Sequence, residues 1–202
     1  ESRGRLMAVI QHDVRRLDRL ITDISSASRL DAELARSEAA SFDLAALLET
    51  VVSMANDISR PDGVYVSLTC EPPHARAGQS FRILGHDSRL VQVFNNLIDN
   101  ARSFSERGGS VRVLCRRIGG AIEVIVDDDG PGIPDHALKR VFERFYTDRP
   151  EQGFGQNSGL GLSISQQIVE AHHGAIHAEN RRHADGSIAG ARFTVRLPVV
   201  TG

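Results

Sequence analysis

The chain has 202 residues, is 41% hydrophobic and carries a formal net charge of −2, which fits one globular domain plus an appendage. No basic face implies a nucleic-acid partner: of the 24 Lys and Arg residues only Lys139 is lysine, which reads as codon supply rather than as a binding surface. No apolar run is long enough for a membrane segment and no signal peptide opens the chain; the start ESRG, without methionine, fits excision from a longer protein.

The first element is a helix over residues 5–36. Ile10, Val14, Leu17, Ile21 and Ile24 follow heptad spacing, with Arg, Asp and Gln elsewhere. So narrow a seam needs a partner, because one helix cannot bury it alone. From Ser41 a compact domain begins, giving boundaries of 1–40 and 41–202. Ser41 reads as an N-cap for a helix whose face is Phe42, Leu44, Leu47, Leu48, Val51 and Val52, although no Glu or Gln stands at N3.

Strands at 64–68 and 81–85 flank the loop EPPHARAGQS, and Asp87 leads into a helix striped by Leu90, Val93, Phe94, Leu97, Ile98 and Ala101. Strands 111–115 and 121–126 form a hairpin across IGG, and strands 175–179 and 191–197 are joined by RRHADGSIAG. Cys70 and Cys115 have neither metal nor redox spacing and read as small strand hydrophobes. Three helices on one face of a mixed sheet make an α/β sandwich of the α+β class.

Three stretches carry chemistry. Strand 121–127 reads as buried on both faces and ends in Asp127, Asp128 and Asp129, then Gly130, Pro131 and Gly132. Three adjacent carboxylates repel unless some meet solvent or a ligand, and the glycines leave room for backbone beside a flat group. Gly159, Leu160, Gly161 and Leu162 open a helix striped by Leu160, Ile164, Ile168 and Ala171; its free N–H groups and dipole favour an anion such as phosphate. Asn96 and Asn100, four apart, project from one helix face, and their amide oxygens suit Mg²⁺. A GxxxxGK[ST] loop is absent, so backbone, asparagine, arginine and metal must hold the phosphates.

NNLIDNA, VDDDGPGI, VFERFY and GLGLSI, in this order, resemble the N, G1, F and G2 boxes of the sensor histidine kinases of two-component signalling. Residues 5–57 resemble the second dimerisation helix and linker, and GARFTVRLP the last strand of the catalytic domain. The resemblance implies the ATP-binding fold shared with type II topoisomerases, mismatch-repair ATPases and certain chaperones. It also implies ATP and Mg²⁺ as cofactors, a homodimer through the N-terminal helix, a response regulator receiver domain as partner, and a cytoplasmic position beneath an inner-membrane sensor.

Under this resemblance Asp128 accepts from the adenine amine, Asn100 with Asn96 brings Mg²⁺, and the ATP-binding set also includes Gly130, Gly132, Arg144, Gly159, Leu160, Gly161 and Leu162. Arg144 has an alternative as the surface partner of Glu143 or Asp148. TDRPEQGFGQNS reads as a lid anchored by Phe142 and Phe145. His12 lies in HDVRRL, but Leu17 occupies the position where the phosphoacceptor box has proline, and the 87 residues up to Asn100 leave no room for a second hairpin helix. The acceptor helix is therefore expected before Glu1, with autophosphorylation impaired in the fragment.

Two departures from the family pattern stand out. Ser103 replaces a lysine that would meet phosphate, which weakens phosphate binding or shifts the task to Arg102 or Arg144; Asn157 replaces the glycine opening the last box. They favour a rival reading as a catalytically weak nucleotide-binding scaffold. A dimer-closing ATPase of the same fold needs a glutamate base near the asparagine helix, and Glu106 lies too far downstream. A serine kinase of the anti-sigma type would not need the heptad helix. His172, His173, His177 and His183 read as surface or packing residues.

Overall fold

A computed structural model describes residue 14 and residues 38–57, 63–71, 81–146 and 159–200. Val14 is helical; His12 and the rest of the heptad segment lie outside the described residues.

The elements are β1 (Ala40–Asp43), α1 (Leu44–Asp57), β2 (Tyr65–Cys70), β3 (Arg82–Gly85), α2 (Asp87–Phe104), β4 (Ser110–Ile118), β5 (Ala121–Asp127), α3 (Gly161–Ala171), β6 (Ala175–Arg182) and β7 (Ile188–Pro198). The main sheet has the order β2-β4-β5-β7-β6, with β2 and β4 parallel and the remaining neighbours antiparallel. Helices cover one face: Leu48, Val51, Phe94, Leu97, Ile164 and Ile168 share one core with Val66, Val113, Val124, Val126, Phe193 and Val195. The expected mixed sheet carrying helices on one side is therefore present.

Ser41 does not cap α1. It lies in β1, an unanticipated strand that pairs antiparallel with β3 as a separate two-stranded sheet. Asp43 is the cap instead: its Oδ1 accepts from the N–H groups of Ala45 and Ala46 at 2.9 and 3.4 Å, the N2 and N3 donors an α-helix leaves unsatisfied. At the other end of α1, Asn56 binds both backbone groups of Val66, donating at 2.8 Å and accepting at 3.0 Å. This side chain acts as the missing neighbour of edge strand β2.

The hairpin across IGG closes with Ile118 opposite Ala121, and Gly119 has φ +57°. The stripe expected on α2 is buried throughout, but Arg102 is buried beside it and donates to the Ala55 carbonyl at 2.7 Å. On α3, Ala171 is exposed and Val169 occupies the core place assigned to it. RRHADGSIAG is half strand rather than all connection: Arg181 pairs with Gly190 and Arg182 with Ile188 across β6 and β7, with a register shift at Arg181/Arg182.

His172 is a packing residue, as the sequence suggested for the histidines. Its Nε2 accepts from the His86 N–H at 2.9 Å, which leaves Nδ1 to donate to the Ile168 carbonyl at 2.7 Å. The C-terminus of α3 is thereby tied to the start of α2.

Candidate functional site

The β5–β7 ladder runs to Asp127 opposite Arg192, and one residue later a side chain replaces the backbone rung. Asp128 N–H donates to Ala191 O at 3.1 Å, while the Ala191 N–H donates to Asp128 Oδ1 at 2.9 Å; Gly130 N–H donates to the same oxygen at 2.9 Å. Among the described residues no hydrogen bond reaches Oδ2. Asp128 is 2% exposed. Burial pushes its carboxyl above the usual range; the backbone donors and the Arg181 charge offset only part of that desolvation.

The other two carboxylates face arginines. Arg192 grips Asp127 with two bonds of 2.7 and 2.8 Å. Arg112 grips Asp129 at 2.6 and 3.0 Å and Ser110 adds a donor at 2.7 Å. The Arg112 bonds hold the Asp129 carboxyl well below its ordinary range despite partial burial. The repulsion expected of three adjacent acids is thus absorbed by the sheet, and Asp128 alone is held by neutral backbone donors.

The turn glycines make room for protein rather than for open space. A Cβ on Gly130 would lie 2.7 Å from the Phe104 carbonyl oxygen. Gly132, at φ +79°, has Ile188 Cγ2 at 2.5 Å from the same point. Asn180 then fixes the exit: its Oδ1 accepts from Ile133 N–H and its Nδ2 donates to Ile133 O, both at 2.7 Å.

Helix α2 connects the two glycine-bearing segments. Its last residue, Phe104, backs onto Gly130, and one turn from Asn100 the Asn96 Nδ2 donates to Gly161 O at 3.2 Å and Ser165 Oγ at 3.3 Å. Asn96 therefore fastens α2 to the first turn of α3 with its nitrogen, and its oxygen makes no hydrogen bond among the described residues. The same holds for the half-buried Asn100 side chain, whose backbone carbonyl accepts from Ser103 Oγ at 2.6 Å. Two neutral, hard oxygens one helical turn apart fit a Mg²⁺ ion whose remaining ligands are water and phosphate.

No side-chain hydrogen bond caps α3; Leu160 stands at its N-cap and is buried. Leu162 packs partly on the core. Gly159 has φ +69°, and a Cβ there would lie 2.9 Å from the Phe145 carbonyl carbon, whereas one on Gly161 would meet Asn96 at an ordinary 3.6 Å.

The segment 147–158, with Asp148 and Asn157, lies outside the described residues. Of its flanks, Phe142 packs edge-on against Phe193 at 6.3 Å, as an anchor should. Phe145 does not: the residue is 59% exposed and its backbone is left-handed at φ 63°, with its N–H bonded to Gly159 O at 2.9 Å. Tyr146 packs against the core instead, with the Arg140 guanidinium 4.5 Å from its ring centroid. Arg144 is exposed, and the Glu143 carboxylate pairs with Arg140 at 3.1 Å rather than with Arg144. Arg102, the other substitute for the missing lysine, is directed into the core by its bond to α1.

Sequence reasoning missed Asn180, Arg181, Gly190 and Ala191, which hold the acidic turn from β6 and β7. The signal was RRHADGSIAG, where a strand pair with a bulge resembled a loop.

Comparison with known proteins bears on this arrangement. The family model described as histidine kinase-, DNA gyrase B-, and HSP90-like ATPase matches residues 85–201. The sensor protein ChvG of Agrobacterium fabrum is 53% identical over 201 residues, covering 98% of this chain and 34% of its own length; the chain spans about a third of the length of such relatives. Among solved structures, the mycobacterial sensor histidine kinase MprB aligns with TM-score 0.65 and 28% identity over 79% of this chain and 97% of its own. Full-length ShkA in complex with AMPPNP aligns with TM-score 0.74 and 25% identity over 100% of this chain and 40% of its own. With a model match over more than half its length, and with sensor histidine kinases as its relatives, the chain belongs to the histidine kinase-, DNA gyrase B- and HSP90-like ATPase family.

Proposed function

We propose that residues 41–202 form the ATP-binding catalytic domain of a sensor histidine kinase and residues 1–40 the second helix of its dimerisation hairpin. The domain transfers the γ-phosphate of ATP to a histidine for relay to a response regulator. The observation that carries this reading is Asp128: a buried carboxylate whose Oδ1 is fixed by two backbone N–H groups, at the turn backed by the asparagine helix. The AMPPNP complex of ShkA is consistent with a nucleotide at such a site.

In this mechanism Asp128 Oδ2 accepts a hydrogen bond from the adenine amine, and guanine, with a carbonyl in that place, leaves a buried acceptor unpaired. The N-terminus of α3, from Gly159 to Leu162, directs backbone N–H groups and dipole at the phosphates. Asn100, with Asn96 beside it, would hold Mg²⁺, which supplies charge neutralisation to the polyphosphate. Arg144 is free of Glu143 to reach a phosphate oxygen. Catalysis is then positioning and charge neutralisation of an in-line transfer.

The test uses the 202-residue chain with Mg²⁺ and γ-labelled ATP, measuring bound nucleotide and acid-labile label on protein. ATP binding that weakens about a hundredfold or more in Asp128→Asn is the expected result for loss of a buried, specificity-setting contact. Absence of ATP binding by the unsubstituted chain overturns the kinase reading. Label that disappears in His12→Ala would move the acceptor onto this chain.

A further inference from the structure

Among the described residues, Arg181 is the single side chain that touches all three positions of the acidic turn. Its Nε lies 3.3 Å from Asp127 Oδ2, and its NH1 donates to the Asp128 main-chain carbonyl at 2.7 Å and lies 3.2 Å from Asp129 Oδ1. The same NH1 is 3.3 Å from the Ala189 carbonyl. A planar fork of five donors spread over three nitrogens suits this spanning role; the three donors of an ammonium radiate from a single nitrogen.

The strands are built to deliver it. Arg181 faces Gly190 and Arg182 faces Ile188, so the register passes over Ala189. Such a bulge re-aims the side chains beside it. Here it aims Arg181 across β7 at the end of β5, and the Ala189 carbonyl becomes a fourth acceptor. Gly190, at φ +132°, completes the fit, because a Cβ would collide with the Asp128 carbonyl oxygen that Arg181 holds. The guanidinium sits on the main-chain side of Asp128 and makes no hydrogen bond with its carboxylate, so it positions that group without consuming an acceptor.

We propose that Arg181 is a positioning residue for base recognition: by clasping the Asp128 carbonyl between Asp127 and Asp129, it fixes the direction in which Asp128 Oδ2 meets the adenine amine. The inference rests on the adenine role proposed for Asp128. Loss of the clasp costs adenine preference, whereas a merely structural role would weaken every nucleotide alike.

The experiment measures Mg-ATP and Mg-GTP affinities of the 202-residue chain and of Arg181→Met, Arg181→Lys, Asp128→Asn and Arg181→Met/Asp128→Asn, with thermal melts for each. Arg181→Met should bind ATP roughly tenfold more weakly, as for a lost charge-assisted contact, with GTP affinity little changed. Arg181→Lys should restore part of the preference, and Arg181→Met should have little further effect once Asp128 is Asn, since coupled groups are non-additive. Equal weakening of ATP and GTP, or an unchanged ratio in both Arg181 variants, overturns the positioning role while leaving Asp128 in place. An Asp128→Asn chain that keeps its full preference for ATP overturns the adenine contact itself, and the inference with it.

Discussion

Glu123 and Asp128 are carboxylates five positions apart, each 2% exposed, and their acidities move in opposite directions. Burial pushes both upward. At Glu123 it is outweighed: Arg116 holds Oε1 through Nε and NH2 at 2.9 and 2.7 Å, Arg196 holds Oε2 at 2.7 Å, and the carboxyl ends below its ordinary range. At Asp128 the donors are two neutral amides, desolvation prevails, and the carboxyl ends above it. Glu123, flanked in register by Arg116 and Arg196 on neighbouring strands, joins three strands of the sheet. Asp128 is fixed by one oxygen. Depth of burial alone therefore does not separate the two carboxylates; the charge of the donors that hold each one does.

The hold of β7 on Asp128 is most vulnerable at Gly190. Its φ of +132° is a region for glycine, and a Cβ would overlap the Asp128 carbonyl oxygen, so Gly190→Ala combines backbone strain with a collision at the turn. We expect a loss of about 3 kcal/mol or more by denaturant unfolding, the sum of strain and overpacking, together with loss of ATP binding. A folded variant of unchanged midpoint and affinity would mean that β7 is not what holds Asp128.

Glu123→Gln sharpens the contrast from the other side. It leaves Arg116 and Arg196 aimed at one neutral amide, though both guanidinia are 36% or more exposed and can recruit water. The expected cost is about 2 kcal/mol, between a charge-assisted hydrogen bond and a fully buried pair, with ATP affinity unchanged. Asp128→Asn should do the reverse: little loss of stability and a large loss of ATP. If Glu123→Gln weakened ATP as much as it weakened the fold, the distinction between the two carboxylates would fail.

These differences also mark what the sequence could and could not convey. The α2 stripe, the β4–β5 hairpin and the order of the motifs were legible, because periodicity and glycine spacing are local. Asp43 as cap was missed because Ser41 has the same chemistry two residues earlier, and only the pairing of β1 with β3 decides between them. Arg102 looked available for phosphate from its place in NARSFS, yet its position beside the buried α2 stripe turns it toward Ala55. Asp128 stands in the sequence as one of three adjacent acids, and what distinguishes it from Asp127 and Asp129 is three arginines arriving from β4, β6 and β7. No spacing within VDDDGPG records that.

The smallest effect is a difference of sign with pH. Asp128, raised in the folded state, holds its proton to higher pH than in the unfolded chain; between the ordinary value of 3.8 and its raised one, the folded state binds more protons and stability falls as pH rises. Glu123 is lowered: between its folded value and the ordinary 4.5 the unfolded chain binds more protons, so its stabilisation is present above that range and is lost as pH falls. Either group contributes at most about 1.4 kcal/mol per pH unit. Urea unfolding from strongly acidic pH, below the ordinary carboxylate values, to neutral pH, taken as the difference between the unsubstituted chain and each variant, isolates the two slopes. The Asp128→Asn difference should decline with rising pH and the Glu123→Gln difference should grow. Two slopes of the same sign would mean that Asp128 is as fully neutralised by Arg181 as Glu123 is by its arginine pair, and that the turn holds three structural acids rather than two.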